Sequence, residues 1–319
     1  MPREVSLPPP FAWLAGQVHY VQQHSATEWS ASCPECGGDV HPDGEWPDRL
    51  RIFVDEHPRV WCRHCSYMRW ADQGGQPPDA ATVERWRAEQ IRREEERKRS
   101  AERALAHLRS GRIWEQYHDQ LDAWARDHWR RRGLADCWQD YWQLGYSPEE
   151  RFGYNGAAWV TPTITIPLFG QDWEPLNVKH RLINVPPDGG KYRYALAGMG
   201  QPMFRCNPER ALTGDVVAVE GEIKAAVVFA TLDDYQAQVV GLPGTSPGAD
   251  IITQLAQAER VTLVMDPGAR QAAWRLAQKI GVKRTRVLIC PMKPDDAIVQ
   301  EHLSAAEVRS AIRHALPAG

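Results

Sequence analysis

The sequence predicts a multidomain chain of mixed α+β and α/β architecture. Three observations predict it. Two Cys-x-x-Cys pairs lie near the N-terminus, a long stretch dense in Arg and Glu follows them, and from Asp215 onward strand-like and helix-like text alternates. The expected divisions are a cysteine-pair module over 1–75, a charged helical linker over 76–132, a strand-rich α+β subdomain over 133–213 and a parallel-sheet α/β domain over 214–319.

A chain of 319 residues has room for two or three domains. The net charge is -3, so no global basic surface announces nucleic acid, and any phosphate-binding surface has to be local. Met1–Pro10 is charged and ends in three prolines, with no apolar core of a secretory leader. No apolar run approaches the length of a membrane span. A cytoplasmic protein without membrane contact is the expectation. Phe11 to Val21 reads as a lead-in with a short helix and carries no functional reading.

The first module rests on Cys33-Pro-Glu-Cys36-Gly37-Gly38 and Trp61-Cys62-Arg63-His64-Cys65. Each Cys-x-x-Cys lets one tight turn present two thiolates to one ion. Two such knuckles joined by short strands make a closed tetrahedral site, so Cys33, Cys36, Cys62 and Cys65 are expected to hold structural zinc in a zinc ribbon. Between them Leu50, Ile52 and Val54 alternate with Arg49, Arg51 and Phe53, a strand with a basic edge. His41 and His64 read as solvent-facing and not as ligands.

Residues 72–79 are a turn-rich break. From Ala80 to Arg132 intermixed charges on good helix formers predict a long exposed helix, and Glu94–Glu96 interrupt any continuous phosphate track. Trp114, Tyr117, Leu121, Trp124, Trp129, Leu134, Trp138 and Trp142 recur at helical spacing and predict a buried stripe.

Over 157–205 the text becomes strand-like. Ile164, Ile166 and Leu168 alternate, and a Pro/Gly turn separates two segments that carry Lys179, Arg181, Lys191 and Arg193. Their period of two predicts four cations on one face, a phosphate-binding surface, with Tyr192 and Tyr194 on the other.

In the last domain the expected strands are Asp215–Glu220, Gln238–Gly241, Val261–Asp266 and Arg286–Cys290. The expected helices are Glu222–Leu232, Ala249–Ala258, Ala269–Ile280 and a helix opened by a Ser304-x-x-Glu307 capping box. Crossover helices make the sheet parallel. Glu220 and Asp266 then end two strands, and Asp295-Asp296 follow a third, all on one rim. Hard oxygen ligands so arranged suit Mg²⁺ or Mn²⁺, completed by water and substrate phosphate.

These elements together resemble the bacterial and phage DNA primases, which join an N-terminal zinc ribbon to a TOPRIM catalytic core. The resemblance is carried by the two knuckles, Arg132-Gly133-Leu134 with Leu144-Gly145-Tyr146, the cationic strand pair, Val219-Glu220-Gly221-Glu222-Ile223-Lys224-Ala225, Gly241-Leu242-Pro243-Gly244, Asp266-Pro267-Gly268 and Lys293-Pro294-Asp295-Asp296, and covers about residues 30–300. Asp48-Arg49-Leu50-Arg51 sits where the family's ribbon often reads Asp-Arg-Phe. The resemblance implies that the ribbon contacts single-stranded template and the core joins ribonucleoside triphosphates into a short primer. It implies that Glu220, Asp266 and Asp295 or Asp296 hold Mg²⁺ or Mn²⁺, and that Lys179, Arg181 and Lys191 hold template or nucleotide phosphates.

This sequence departs from the pattern twice. Gly268 replaces the second acid of the family's Asp-x-Asp, and Lys224 stands where an acid is often found. Lys224 is a candidate for direct phosphate contact, with Asp296 or Glu222 compensating among the acids. A primase-like single-stranded nucleic-acid binder with weakened catalysis, and a TOPRIM nuclease, are the alternative functions. No Gly-x-x-x-x-Gly-Lys-Ser/Thr loop occurs, so the replicative helicase is expected to act in trans.

Overall fold

The computed structural model describes residues 6–36, 49–65, 67–71, 80–154, 157–187, 189–196, 199–232 and 238–318. His41, Asp48 and the knuckle glycines Gly37 and Gly38 lie outside them. The chain forms two units, Met1–Glu95 and Glu96–Gly319.

The first unit opens with a 3-10 turn, Pro9–Leu14, followed by β1 (Gln22–Gln23), β2 (Glu28–Ala31), β3 (Leu50–Phe53), β4 (Arg59–Cys62) and β5 (Met68–Trp70). They pair in sequence order as an antiparallel sheet. Alternation sends Leu50, Ile52 and Val60 inward, as the sequence pattern requires. The lead-in completes this core: Phe11 and Leu14 are fully buried against it.

Helix α1 (Ala80–Ser110) runs from the first unit into the second. It is exposed over most of its length, and Glu89 pairs with Arg93 one turn on at 2.7 Å. In the second unit Leu108 packs against Val178 and Leu196. Next come α2 (Ile113–Asp119), α3 (Ala123–Arg130) and α4 (Asp136–Tyr141), with Asp122 capping α3 by accepting the Ala125 N–H at 2.7 Å. Trp129, Leu134, Trp138 and Trp142 are buried as predicted, whereas Trp124 is exposed.

A second antiparallel sheet holds β6 (Gly145–Tyr154), β7 (Ala157–Phe169), β8 (Pro175–Leu182) and β9 (Tyr192–Tyr194). The remaining elements are β10 (Phe204–Arg205), β11 (Asp215–Glu220), α5 (Glu222–Leu232), β12 (Gln238–Leu242), α6 (Ala249–Leu255), β13 (Arg260–Met265), α7 (Arg270–Ile280), β14 (Thr285–Ile289), α8 (Pro294–Gln300), α9 (Ala305–Arg313) and β15 (Leu316–Pro317). Their sheet has the order β10-β12-β11-β13-β14-β15, parallel in its four central strands and antiparallel at both edges. The four expected strands and four expected helices are present within a few residues of their predicted bounds, and the capping box at Ser304 and Glu307 forms.

Side chains on the two faces of this sheet enter different cores. Ala218, Val240 and Leu263 meet α6 and α7, while Val219, Val239 and Val264 meet α5. The far side of α5 is covered by Trp138, Trp142, Leu144, Ile164 and Ile166, so one core joins α5 to the preceding helices and to β7. That explains why α5 has apolar residues all round it. Phe229 meets Trp138 edge-on at 5.5 Å. The turn that carries Glu220 and Lys224 is thus anchored on a helix packed from both sides. Among the described residues no helix is long and apolar enough to cross a membrane.

Candidate active site and metal centre

The four cysteines converge. Their sulfurs lie within 4.8 Å of one another, with Cys33 Sγ 3.6 Å from Cys65 Sγ and Cys36 Sγ 3.6 Å from Cys62 Sγ. Tetrahedral Zn–S bonds of about 2.3 Å place sulfurs about 3.8 Å apart, so the set fits zinc. Burial pushes the Cys33 thiol up to about 12. At Cys62 burial acts the same way but is outweighed by the backbone N–H groups of Cys65 and His64, which bring that thiol down to about 7. His64 is exposed and outside the cluster, as expected.

The parallel sheet supplies the second site. Glu220 is the last residue of β11, and Gly221, with φ of +97°, turns the chain into α5. Neighbouring β12 passes close beneath: a Cβ on Gly241 would lie 2.7 Å from the Glu222 Cα. Asp266 follows β13 directly, and its backbone N–H donates to Glu220 Oε2 at 3.3 Å. Lys224, in the first turn of α5, donates to Asp266 Oδ2 at 2.6 Å. Asp295 and Asp296 occupy the first turn of α8, an element the sequence reading did not foresee. Burial and then the Asp296 charge raise the Asp295 pKa, with Arg132 and Lys224 opposing them. Arg132 Nη1 lies 3.8 Å from Asp295 Oδ2.

The predicted face of four cations does not form. In the pairing of β8 with β9, Lys179 is opposite Tyr194, His180 opposite Arg193 and Arg181 opposite Tyr192. Odd positions of one strand therefore face even positions of the other. Arg193 goes to the face away from Lys179, and both tyrosines join Lys179 and Arg181. Lys179 Nζ sits 4.5 Å from the Tyr192 ring centre and bonds Glu222 Oε1 at 2.6 Å. At 5% and 3% exposure this is a buried ion pair, which removes Lys179 from any exposed phosphate surface and Glu222 from compensating among the rim acids. Arg193 donates to the backbone oxygens of Gly190 and Tyr192, and Lys191 is exposed just before β9.

Arg181 does reach the rim side of the sheet. Its Nη1 is 3.3 Å from His128 Nε2, and its charge together with burial lowers the Arg132 pKa. Arg132 thus lies beside Asp295, and Arg181 lies close enough to Arg132 to depress its pKa. Arg132 was assigned no role from sequence, although it lies in the Arg-Gly-Leu motif.

Does the rim fit a hard cation? Asp266 Oδ1 and Asp295 Oδ1 are both buried without a hydrogen-bond partner. Each is an oxygen donor of the kind Mg²⁺ or Mn²⁺ takes. Yet among the described residues the four cysteines are the only group of three or more candidate ligands with atoms all within 4.8 Å. The rim acids stand wider apart, and the Lys224 ammonium is held among them.

No protein-family model matches the sequence, and no curated protein is a significant relative of it. Solved structures do share its fold. The zinc-binding and RNA polymerase domains of the Aquifex aeolicus primase match at a TM-score of 0.52 and 15% identity, covering 93% of this chain and 81% of that one. A DnaG primase catalytic domain bound to single-stranded DNA matches at 0.55 and 16%, covering 69% and 83%. The RNA polymerase domain of Mycobacterium tuberculosis primase DnaG, in complex with double-stranded DNA, matches at 0.53 and 17%, covering 68% and 82%. The chain has a primase fold preceded by a four-cysteine module.

Proposed function

We propose that this chain is a DNA primase: a zinc-stapled, DNA-templated nucleotidyltransferase that makes short RNA primers on single-stranded DNA. The observation that carries the reading is the chain of contacts at the strand ends of the parallel sheet: the Asp266 N–H donates to Glu220, Lys224 bonds Asp266, and Arg132 stands beside Asp295. The primase fold of its structural neighbours supports it.

In this reading the last domain is of TOPRIM type. Glu220, Asp266 and Asp295 would hold Mg²⁺ or Mn²⁺, which when bound neutralises phosphate charge and lowers the pKa of an attacking 3′-hydroxyl. Asp296 strengthens the negative field at Asp295. Arg132 and Arg181 present fixed guanidinium donors to triphosphate or template phosphates, and exposed Lys191 extends that edge. Lys224 meets a phosphate directly once its bond to Asp266 opens. On the outer face of the ribbon sheet, exposed Trp61 and Met68 lie in one cross-strand row with Arg51, a surface on which template bases can stack. A replicative helicase would act in trans.

One observation favours a second reading. The Lys224–Asp266 bond ties up one rim acid, as in a nucleic-acid binder with weakened catalysis. Incubation with single-stranded DNA, labelled ribonucleotides and Mg²⁺ or Mn²⁺ separates the two. Primase activity predicts labelled oligoribonucleotides that vanish in Glu220→Gln and Asp266→Asn. Salt-sensitive DNA binding without product favours the binder, and plasmid nicking by the same preparation identifies a nuclease.

A further inference from the structure

We propose that Trp124 is a base-stacking platform for a single-stranded polynucleotide, set off the strand-end rim at the start of a track that leads over His128 to Arg181 and Arg132. The proposal rests on the primase reading, which supplies the strand, and adds to it a residue outside the rim acids. Its basis is a continuous run of contacts. Trp124 lies on α3 at 44% exposure, its ring 5.6 Å from that of Tyr146 and 5.6 Å from that of His128. His128 Nε2 is 3.3 Å from Arg181 Nη1. Arg132, close enough to both to perturb them electrostatically, stands 3.8 Å from Asp295.

Two periodicities produce this placement. Trp124, His128 and Arg132 recur every fourth residue, so they share one side of α3 and of the turn that closes it. Tyr146, Ile164, Arg181 and Tyr192 stand opposite one another across β6 to β9, so their side chains share one face of that sheet. α3 spans this row, with Trp124 on Tyr146 and His128 on Arg181. Ile164 between them is fully buried, whereas Tyr146 and Arg181 are half-buried and Tyr192 is exposed. The acids of α3 and α4 are engaged elsewhere: Asp122 caps α3, Asp127 meets Arg131 at 3.1 Å, Asp136 is held by Arg130 and Asp140 by Arg126. Burial and the surrounding guanidiniums keep His128 uncharged at neutral pH, so it accepts from Arg181 and holds that group in place. An open indole leading to two guanidiniums fits a single strand, giving a ring face to the base and fixed donors to the phosphates. Paired bases inside a duplex present no free face to it.

The test uses the zinc-loaded full chain and fluorescently labelled oligothymidylate, with thermal unfolding run on each variant to establish folding. Trp124→Ala is expected to weaken binding about tenfold with the salt dependence unchanged, because a stacked base is lost and no phosphate contact is. Trp124→Phe, which keeps a ring, should retain most of the affinity. An abasic strand should bind wild type and Trp124→Ala alike. Oligomers carrying 5-iodouracil should cross-link to Trp124 under ultraviolet light. DNA and RNA oligomers run in parallel tell template from product, and a cross-link to either supports the platform. A loss of less than about twofold in folded Trp124→Ala, an equal loss on the abasic strand, or no cross-link at Trp124 with either oligomer would overturn the proposal. The outcome is separable from the primase reading. Trp124-dependent binding in a protein that makes no primer leaves the platform standing and removes the polymerase. Primer synthesis with unchanged binding in Trp124→Ala does the reverse.

Discussion

Lys179 Nζ and Glu222 Oε1 meet at 2.6 Å with both side chains almost wholly shielded from water. The bond ties β8 of the antiparallel sheet to the first residue of α5, two positions from Glu220. A buried pair adds little net stability over an apolar pair, but breaking it leaves one charge stranded. Lys179→Met is therefore expected to cost about 3–5 kcal/mol in urea unfolding. The double variant Lys179→Met/Glu222→Leu should recover most of that loss. A single variant as stable as wild type would contradict the burial of the pair.

Gly241 lets β12 run beneath the Glu220–Glu222 turn. An added methyl at this position would sit 2.7 Å from the Glu222 Cα and 3.0 Å from the Gly221 carbonyl oxygen. Backbone has to move, so Gly241→Ala is expected to cost about 1–3 kcal/mol. It should also weaken Mn²⁺ binding at the rim, because the turn that shifts carries Glu220. Calorimetry and thermal unfolding on the same sample check both effects.

Cysteine substitution tests the ribbon. Cys33→Ser or Cys62→Ser is expected to release zinc and unfold the first unit while the sheets of the second persist, because Cys33 and Cys62 are themselves buried core residues. Metal analysis with limited proteolysis reads this directly. Full zinc content in both variants would refute the ligand set.

Acid should destabilise the second unit through two histidines. Burial holds His180 at about 4, and burial with Arg181, Arg132 and Arg131 holds His128 at about 4. Both would titrate near 6.5 in the unfolded chain, so below that pH the unfolded state takes up protons that the folded state refuses. The stability is intact above pH 6.5 and is lost as pH falls from there toward 4. His180 alone accounts for up to about 3 kcal/mol. Urea midpoints across that window should fall less steeply in His180→Gln, and an unchanged slope would contradict the assignment.

Much of this architecture is legible from composition and spacing. The central strands are continuous apolar runs, the Ser304–Glu307 capping box marks the start of α9, and Cys-x-x-Cys has few other uses in this setting. What could not be read follows from physics that periodicity does not encode. β6 contains Pro148, Glu149 and Glu150, which disguise a strand whose pairing skips from Ser147 to Glu150 in a bulge. α8 is short and opens with Pro-Asp-Asp, too little periodic text to announce a helix at Asp295. The cation face failed on register, since a period of two is equally consistent with either alignment of β8 and β9. The partners of Lys179 and Lys224 are over forty residues distant in sequence, and no local pattern points to them.

Sequencing the products made on a defined single-stranded template from ribonucleotides and Mn²⁺ reaches the central claim most directly. The account predicts short RNAs complementary to the template from zinc-loaded wild type and none from folded Glu220→Gln. Folded, zinc-loaded wild type that makes no ribonucleotide product on any template, or product undiminished in that variant, would contradict it.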